Sequence, residues 1–572
     1  MQNLLRDRIS LYALFSGAFY IILAGNILLL SSLLMAAGIP MSPLHFLLAM
    51  LVTLVMYYKV YIHLFPGSSL NPFFILFGAL LLLSYLIVYF SGTFYDVSYD
   101  GQWYHQEAMI HLKNGWNPYR KYISPEESPN TVSLLNHMAQ GAWILRTSLY
   151  VMTNKIELSK AINFFFIVST FLVCFSCLLK FQRLRYIYAF VISLVIAFNP
   201  VSVYQSLCFY VDGELSSLLL ITTALLIYFL FQTNWVVNLC LVYSLICLLN
   251  VKFNAAVYIS FIAAGALVYQ WTLGNREKVR LLFKVLAVAY LLGICWVGYP
   301  TYIKNAIYFG HPFYPVMGSN GNMNQLAQNV EPANFQEMNR FEKLNASVFS
   351  YPFWSRAPLN NTYRPLFSHH AFTNCIDFCR ADIEISGWGP VFAETIIITG
   401  FCFFFFIMML SIKKENERKP FLLHLCFIAV VFLSAAISPF CWYARYTPHI
   451  WLIPLATTVC CLIYSDKGIY TYLGNTLLLL LLMNATLIVE TNIHEHTKKT
   501  VEMNNELQLL KKQIAQNKNI KVRFGWLISD KVRLEEKGIK YTEVHDTSID
   551  TTGTKFLYSV GGSIYKVEEP NK

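Results

Sequence analysis

The chain has 572 residues, of which 56% are hydrophobic and only 13% charged, about half the charged share usual in soluble domains; its mean hydropathy is +0.47. A soluble fold of this composition could not cover its own apolar surface, which excludes a soluble enzyme, a disordered chain and a collagen-like chain. The 43 basic and 32 acidic residues leave a net charge of +11, and in a chain built of apolar runs that excess reads as basic cytoplasmic loops rather than nucleic-acid binding.

Thirteen apolar runs have the length needed to cross a bilayer as helices. They lie near 10–36, 44–64, 72–91, 161–179, 187–205, 215–232, 235–250, 254–271, 281–299, 389–411, 420–438, 448–465 and 470–489. The basic N-terminus, MQNLLRDRIS, leads into the first run without an A-x-A site and reads as a retained start-transfer span. Three short basic loops follow: Lys180, Arg183 and Arg185; then Arg276, Lys278, Arg280 and Lys284; then Lys413, Lys414, Arg418 and Lys419. With thirteen spans, all three share one side with Arg6 and Arg8, and by the positive-inside rule that side is the cytoplasm. Residues 92–160, 300–388 and the tail from 490 then lie outside, too long to be mere linkers.

The expected fold is an all-α polytopic membrane domain over 1–489 with large external loops, followed by a small external α/β domain over 490–572. In the tail, Leu507, Leu510 and Ile514 show helical spacing over 498–518. IKVRFGWLI and KYTEV read as strands around a short helix, and TKFLYSVGGSIYKVEE as a hairpin turned at Gly561 and Gly562. Most cysteines, among them Cys174, Cys177, Cys240, Cys247, Cys460 and Cys461, sit in apolar runs as small hydrophobes, and no paired CxxC marks a zinc site. Cys375 and Cys379 stand four apart in the second long loop, where an oxidising compartment could join them, although i,i+4 geometry suits a disulfide poorly.

The first long loop opens with Tyr95-Asp96-Val97-Ser98-Tyr99-Asp100-Gly101-Gln102-Trp103-Tyr104-His105-Gln106-Glu107. Asp100 is placed to cap a helix over 101–113 lying along the membrane surface, with Gly115 and Pro118 ending it. A carboxylate at this boundary serves either as that cap or as a general base for an acceptor hydroxyl. Further along, Asp212 and Glu214 follow the Asn199-Pro200 break and open the sixth run, as plain interface residues or as a second acidic group facing the same cavity. Lys252 lies between two runs and either snorkels to the surface or binds a lipid phosphate. Arg445 sits among Trp442, Tyr443, Tyr446 and His449. Such a group is either an aromatic belt or a phosphate fork with rings that stack on a sugar.

The Asp96–Gly115 stretch resembles the first periplasmic loop of the GT-C glycosyltransferases, and in particular the aminoarabinose-transferase and protein-O-mannosyltransferase branches. There an Asp-Glu pair is followed four residues later by Tyr, then by a surface helix and a Gly. Here those places hold Asp100, Tyr104 and Gly115, with Gly101 where the branches carry Glu. Lys304, followed by His311-Pro312-Phe313-Tyr314-Pro315, resembles the Arg/Lys-Asn…Gly-Asn-Pro-Phe-Tyr-Pro stretch of many bacterial members, with His311 replacing Asn. Arg445-Tyr446 entering a late span is a further likeness, and the match is scattered over residues 90–455.

The resemblance implies a bacterial inner-membrane enzyme that takes one sugar from a polyprenyl-phosphate donor to a glycan, lipid or protein acceptor outside. Asp100 is then the expected base, with Asp96 or Asp212 orienting it. Arg445, Lys304 and Lys252 hold the donor phosphate, and Tyr104, His105, Glu107, Glu214, His311, Tyr446 and His449 line the substrates. Asp96, His105 and Glu107 offer ligands for a divalent cation, Mg or Mn, should one be needed. No soluble-nucleotide loop such as GxxxxGK[ST] occurs, which favours a lipid-linked donor. An oligosaccharide ligase or polymerase, a lipid or glycan transporter and a non-catalytic partner subunit remain the alternatives.

Overall fold

The computed structural model describes residues 2–318, 331–352, 363–412, 415–463, 468–545 and 549–568. Among the described residues, nine helices are long and apolar enough to cross a membrane. Four shorter apolar helices, Tyr186–Ala197, Trp235–Val251, Phe421–Ala436 and Pro448–Ile463, fall at the other positions where the sequence has apolar runs. The chain is therefore a multi-pass helical membrane protein with a small C-terminal sheet.

The helices break where the sequence supplies a reason. Asn199 caps the short Pro200–Tyr204 helix by accepting from Val201 N, which stops the preceding Tyr186–Ala197 helix short of residue 205. Lys252 is a single extended residue (φ −159°, ψ 145°) between the Trp235–Val251 and Phe253–Thr272 helices. That one-residue break turns two apolar runs back on each other at the level of Lys252.

Two of the basic loops meet the same end of the bundle. Lys180 Nζ lies 5.3 Å from the Tyr228 ring centroid, and Lys278 Nζ donates to Leu230 O at 3.0 Å, both in the last turn of the Asp212–Phe231 helix. Arg6 lies there too, donating to the carbonyls of Leu179, Phe181, Gln182 and Leu184, which lack helical partners. Lys413 and Lys414, in the third basic loop, lie outside the described residues. Asp212 starts the same 20-residue helix and so sits about 30 Å away at the opposite end of the bundle.

The helix expected over 498–518 is not separate from the last apolar run. Gly468–Ala515 forms one helix of 48 residues, about 70 Å long and more than twice the thickness of a hydrocarbon core. The 489/490 boundary falls inside it. Its C-terminal half supplies Met503, Leu507 and Leu510 to the core of the tail. Four strands follow, β1 (Asn519–Arg523), β2 (Thr542–Glu543), β3 (Thr554–Lys555) and β4 (Ile564–Glu568), in the order β2-β1-β4-β3. β1 runs parallel to β2 and antiparallel to β4, and the β3/β4 hairpin contains Gly562 in the left-handed region. Ile520, Val522, Phe556 and Tyr565 pack on Leu534 of the Ser529–Glu536 helix. Tyr95, from the first long loop, packs into the same core.

Candidate active site

At the end of the bundle away from the basic loops, four charged side chains from distant parts of the chain meet. Arg445 Nη1 donates to Asp100 Oδ2 at 3.4 Å and stands 3.9 Å from Asp212 Oδ2. Lys252 Nζ pairs with the other oxygen of Asp212. Tyr446 lies beneath both cations, 3.9 Å from Lys252 Nζ and 5.5 Å from the Arg445 guanidinium. Tyr443 and Tyr210 hold the guanidinium at 4.7 and 5.1 Å. Asp212 is shut off, at 2% exposure, whereas Asp100 retains 19% and Lys252 25%, so the cluster opens on that side.

Asp100 is not a helix cap. Its backbone is already helical (φ −61°, ψ −31°) and its carboxylate makes no capping bond, because the helix begins one residue earlier. The first turn, Gly101–His105, is widened to a π-turn before the regular Gln106–Lys113 helix, and Gly115 (φ +100°) ends it as expected. The Asp100 carboxylate is thus free for Arg445. Burial lifts its pKa above the ordinary carboxylate value; Arg445 pulls it down and Asp212 adds to the rise. Tyr104 lies within the electrostatic reach of the Asp100, Arg445 and Asp212 charges.

Asp96 has a different place. It is fully buried and accepts from Ser98 N at 2.8 Å, Ser98 Oγ at 2.6 Å and Phe209 N at 3.0 Å. It therefore ties the first loop to the irregular segment 205–211. That segment carries Tyr210 and leads into Asp212, and several of its buried backbone carbonyls are satisfied by side chains. Asn163 Nδ2 donates to the carbonyls of Gln205, Ser206 and Cys208, and Arg146 donates to those of Phe209 and Tyr210. Arg146 Nε also pairs with Glu214 Oε1 at 2.8 Å, with both side chains at 0% exposure. Glu214 faces Arg146 rather than the cluster. Arg146 was not among the residues the sequence pointed to; its signal is an arginine inside the apolar stretch Ala142–Leu145 and Leu149–Val151.

Asp96 also explains Gly101. A Cβ on Gly101 would stand 2.1 Å from Asp96 Oδ2 and 2.2 Å from Ser98 Oγ. The place that a second carboxylate needs is taken by Asp96. Gly101→Glu is therefore expected to destabilise the fold by about 1–3 kcal/mol through overpacking, without creating a paired acid; thermal unfolding in detergent measures it.

The remaining expected residues sit elsewhere. His105 Nδ1 accepts from Trp143 Nε1 at 2.8 Å, and burial lowers its pKa well below the usual imidazole value. Glu107 accepts from Ser128 and from Thr131 (2.7 Å), which pins the loop after the surface helix. Lys304 Nζ donates to Pro118 O at 2.8 Å and lies over the Tyr122 ring, where it ties the two long loops together. His311 Nδ1 accepts from Phe313 N within its own turn, and His449 is buried against Ser434 and Tyr258. Cys375 and Cys379 are free thiols.

Among the described residues, no three His, Cys, Asp or Glu side chains converge as ligands for a metal ion. Asp96, His105 and Glu107 are engaged with separate partners, and both carboxylates of the open cluster already face cations. A divalent ion does not fit this set. No family model matches the sequence, and no curated protein matches it either.

Chemically, the cluster is a pair of cations held ready by two carboxylates. An incoming anion can take over Arg445 and Lys252 and leave Asp100 without its guanidinium partner. That leaves a raised-pKa carboxylate next to a bound anion at the open side of the cluster.

Proposed function

We propose that the chain is a GT-C-type glycosyltransferase of the bacterial cytoplasmic membrane, crossing it thirteen times with the N-terminus inside and both long loops and the tail outside. It transfers one sugar from a polyprenyl-phosphate donor to an acceptor at the outer face. The observation that carries this reading is the joining of Asp100, Asp212, Lys252 and Arg445 in one partly open cluster at the end of the bundle opposite the basic loops. Arg445 supplies a planar fork and Lys252 a point charge, a combination suited to a phosphate at the membrane surface. The acceptor oxygen bonds to the anomeric carbon as the bond from that carbon to the phosphate oxygen breaks. Asp100 takes the hydroxyl proton, the polyprenyl phosphate leaves with the bonding pair, and the two cations stabilise its new charge. Direct displacement inverts the anomeric centre.

The test is donor consumption by the purified full chain in lipid nanodiscs, using a panel of short-chain polyprenyl-phosphate monosaccharides with cell-envelope extract as acceptor. Arg445→Gln and Lys252→Met are each expected to lower kcat/KM by about 10²–10³-fold. Lys304→Met, away from the cluster, is expected to leave the donor KM as it is. Consumption of lipid-linked oligosaccharides alone would replace this reading with a ligase or polymerase.

A further inference from the structure

Three aromatic rings from two ends of the chain meet at the turn that carries Asp100. Tyr99 directly precedes Asp100, and Trp103 follows it in the same turn. Trp526 comes from the segment after β1 in the C-terminal sheet. Their ring centroids are 5.7 Å apart for Tyr99 and Trp103, 5.7 Å for Trp103 and Trp526, and 6.2 Å for Tyr99 and Trp526. None of the three pairs is stacked: two meet edge to face and the third is tilted. Tyr99 is 44% and Trp526 39% exposed.

This meeting is built into the fold. Gln102 Nε2 donates to Tyr558 O at 2.8 Å, and Val560 N donates back to Gln102 Oε1 at 3.4 Å. Arg533 Nη2 donates to Asp96 O at 3.4 Å, and Ile156 N donates to Glu536 Oε1 at 2.9 Å. The loop that carries Asp100 is therefore clamped to the tail on both sides of the carboxylate. The three rings in mutual contact, two of them more than a third exposed, make a contiguous aromatic patch of the kind that marks a binding surface.

We propose that Tyr99, Trp103 and Trp526 form the acceptor subsite and that the acceptor is a glycan. The proposal rests on the transferase reading above, because it is Asp100 that gives the rings something to present. Arg445 engages Asp100 through its carboxylate, while Tyr99 and Trp103, in the same turn as Asp100, meet Trp526. A donor phosphate on the cations and an acceptor on the rings therefore approach the carboxylate from different groups. A sugar ring has an apolar C–H face for an aromatic ring and a hydroxyl edge for a base. Rings that stack without reading hydrogen bonds hold such flat faces well. The C-terminal domain then contributes directly to the acceptor site through Trp526.

Two measurements on the full chain in nanodiscs test this. Saturation-transfer NMR from protein aromatic protons to maltotriose, chitotriose and a pentapeptide reads binding without any donor. Transfer to at least one sugar is expected in the wild type, lost in Trp526→Ala and retained in Trp526→Phe. In the transfer assay, Trp526→Ala and Tyr99→Ala are each expected to raise the acceptor KM on the order of tenfold, again with rescue by Trp526→Phe. Binding of the peptide but of no sugar, or an acceptor KM insensitive to both alanine variants, would overturn the subsite. Sugar binding that depends on Trp526 without consumption of any lipid-linked donor would keep the subsite and sink the transferase reading instead.

Discussion

Asp100→Asn is expected to lower sugar transfer by about 10²–10⁴-fold, the span usual for loss of a positioned general base. The amide keeps the size of the side chain and can still accept a hydrogen bond from Arg445, so the fold and the donor site survive the change. It cannot take a proton. The pH profile carries a second signature. Burial raises the Asp100 carboxyl, and as a base it works only when ionised. Activity is therefore lost as pH falls through a value above the ordinary carboxylate range of about 4. The neighbours move that limb in opposite directions. Asp212→Asn removes a like charge, so the acid limb of kcat/KM shifts to lower pH. Arg445→Gln removes the cation that favours the ionised form, so the residual activity has its limb at higher pH. A profile in which both variants shift the limb in the same direction, or neither moves it, would assign the proton transfer to another group.

The multi-pass helical character was legible because apolar run length is a local property: among the described residues, nine of the runs fall on helices long enough to cross a membrane and the other four on shorter apolar helices. The short Trp235–Val251 helix is among them, stopped by Lys252 where the sequence turns polar. Asp100, Asp212, Lys252 and Arg445 were also legible, as charges beside apolar runs in aromatic surroundings. Which of them meet was not, because the pairs are 40 to 345 residues apart in sequence. The same limit misplaced Asp96, Glu214 and Lys304. A carboxylate four residues before Asp100 looks equally available in sequence, but its role is set by Phe209 N, more than a hundred residues on. Trp526 shows the converse. It was read as part of a strand, yet β1 ends at Arg523 and leaves it in an irregular segment facing Trp103.

Arg146→Met is the substitution expected to cost the fold most. It leaves the Glu214 carboxylate without its partner at a site with no access to water, and breaking a buried pair from one side costs about 3–5 kcal/mol. The loss would appear as a lower midpoint of thermal unfolding in detergent. Adding Glu214→Gln to the same chain removes the stranded charge and is expected to recover a large part of that stability. It is not expected to recover transfer. Arg146 also donates to the carbonyls of Phe209 and Tyr210 and to Asn163 Oδ1 at 3.0 Å, and neither methionine nor glutamine restores those bonds. Segment 205–211 then loses the clamp that sets Tyr210 under the Arg445 guanidinium and Asp212 between Arg445 and Lys252. Arg146→Lys separates the two roles from the other side: it keeps the charge for Glu214 but lacks the planar fork that reaches three acceptors at once. Stability near that of the wild type with depressed transfer is the expected outcome for the lysine variant. Full transfer in the double variant would show that the segment holds its shape without Arg146, and that the buried pair serves packing alone.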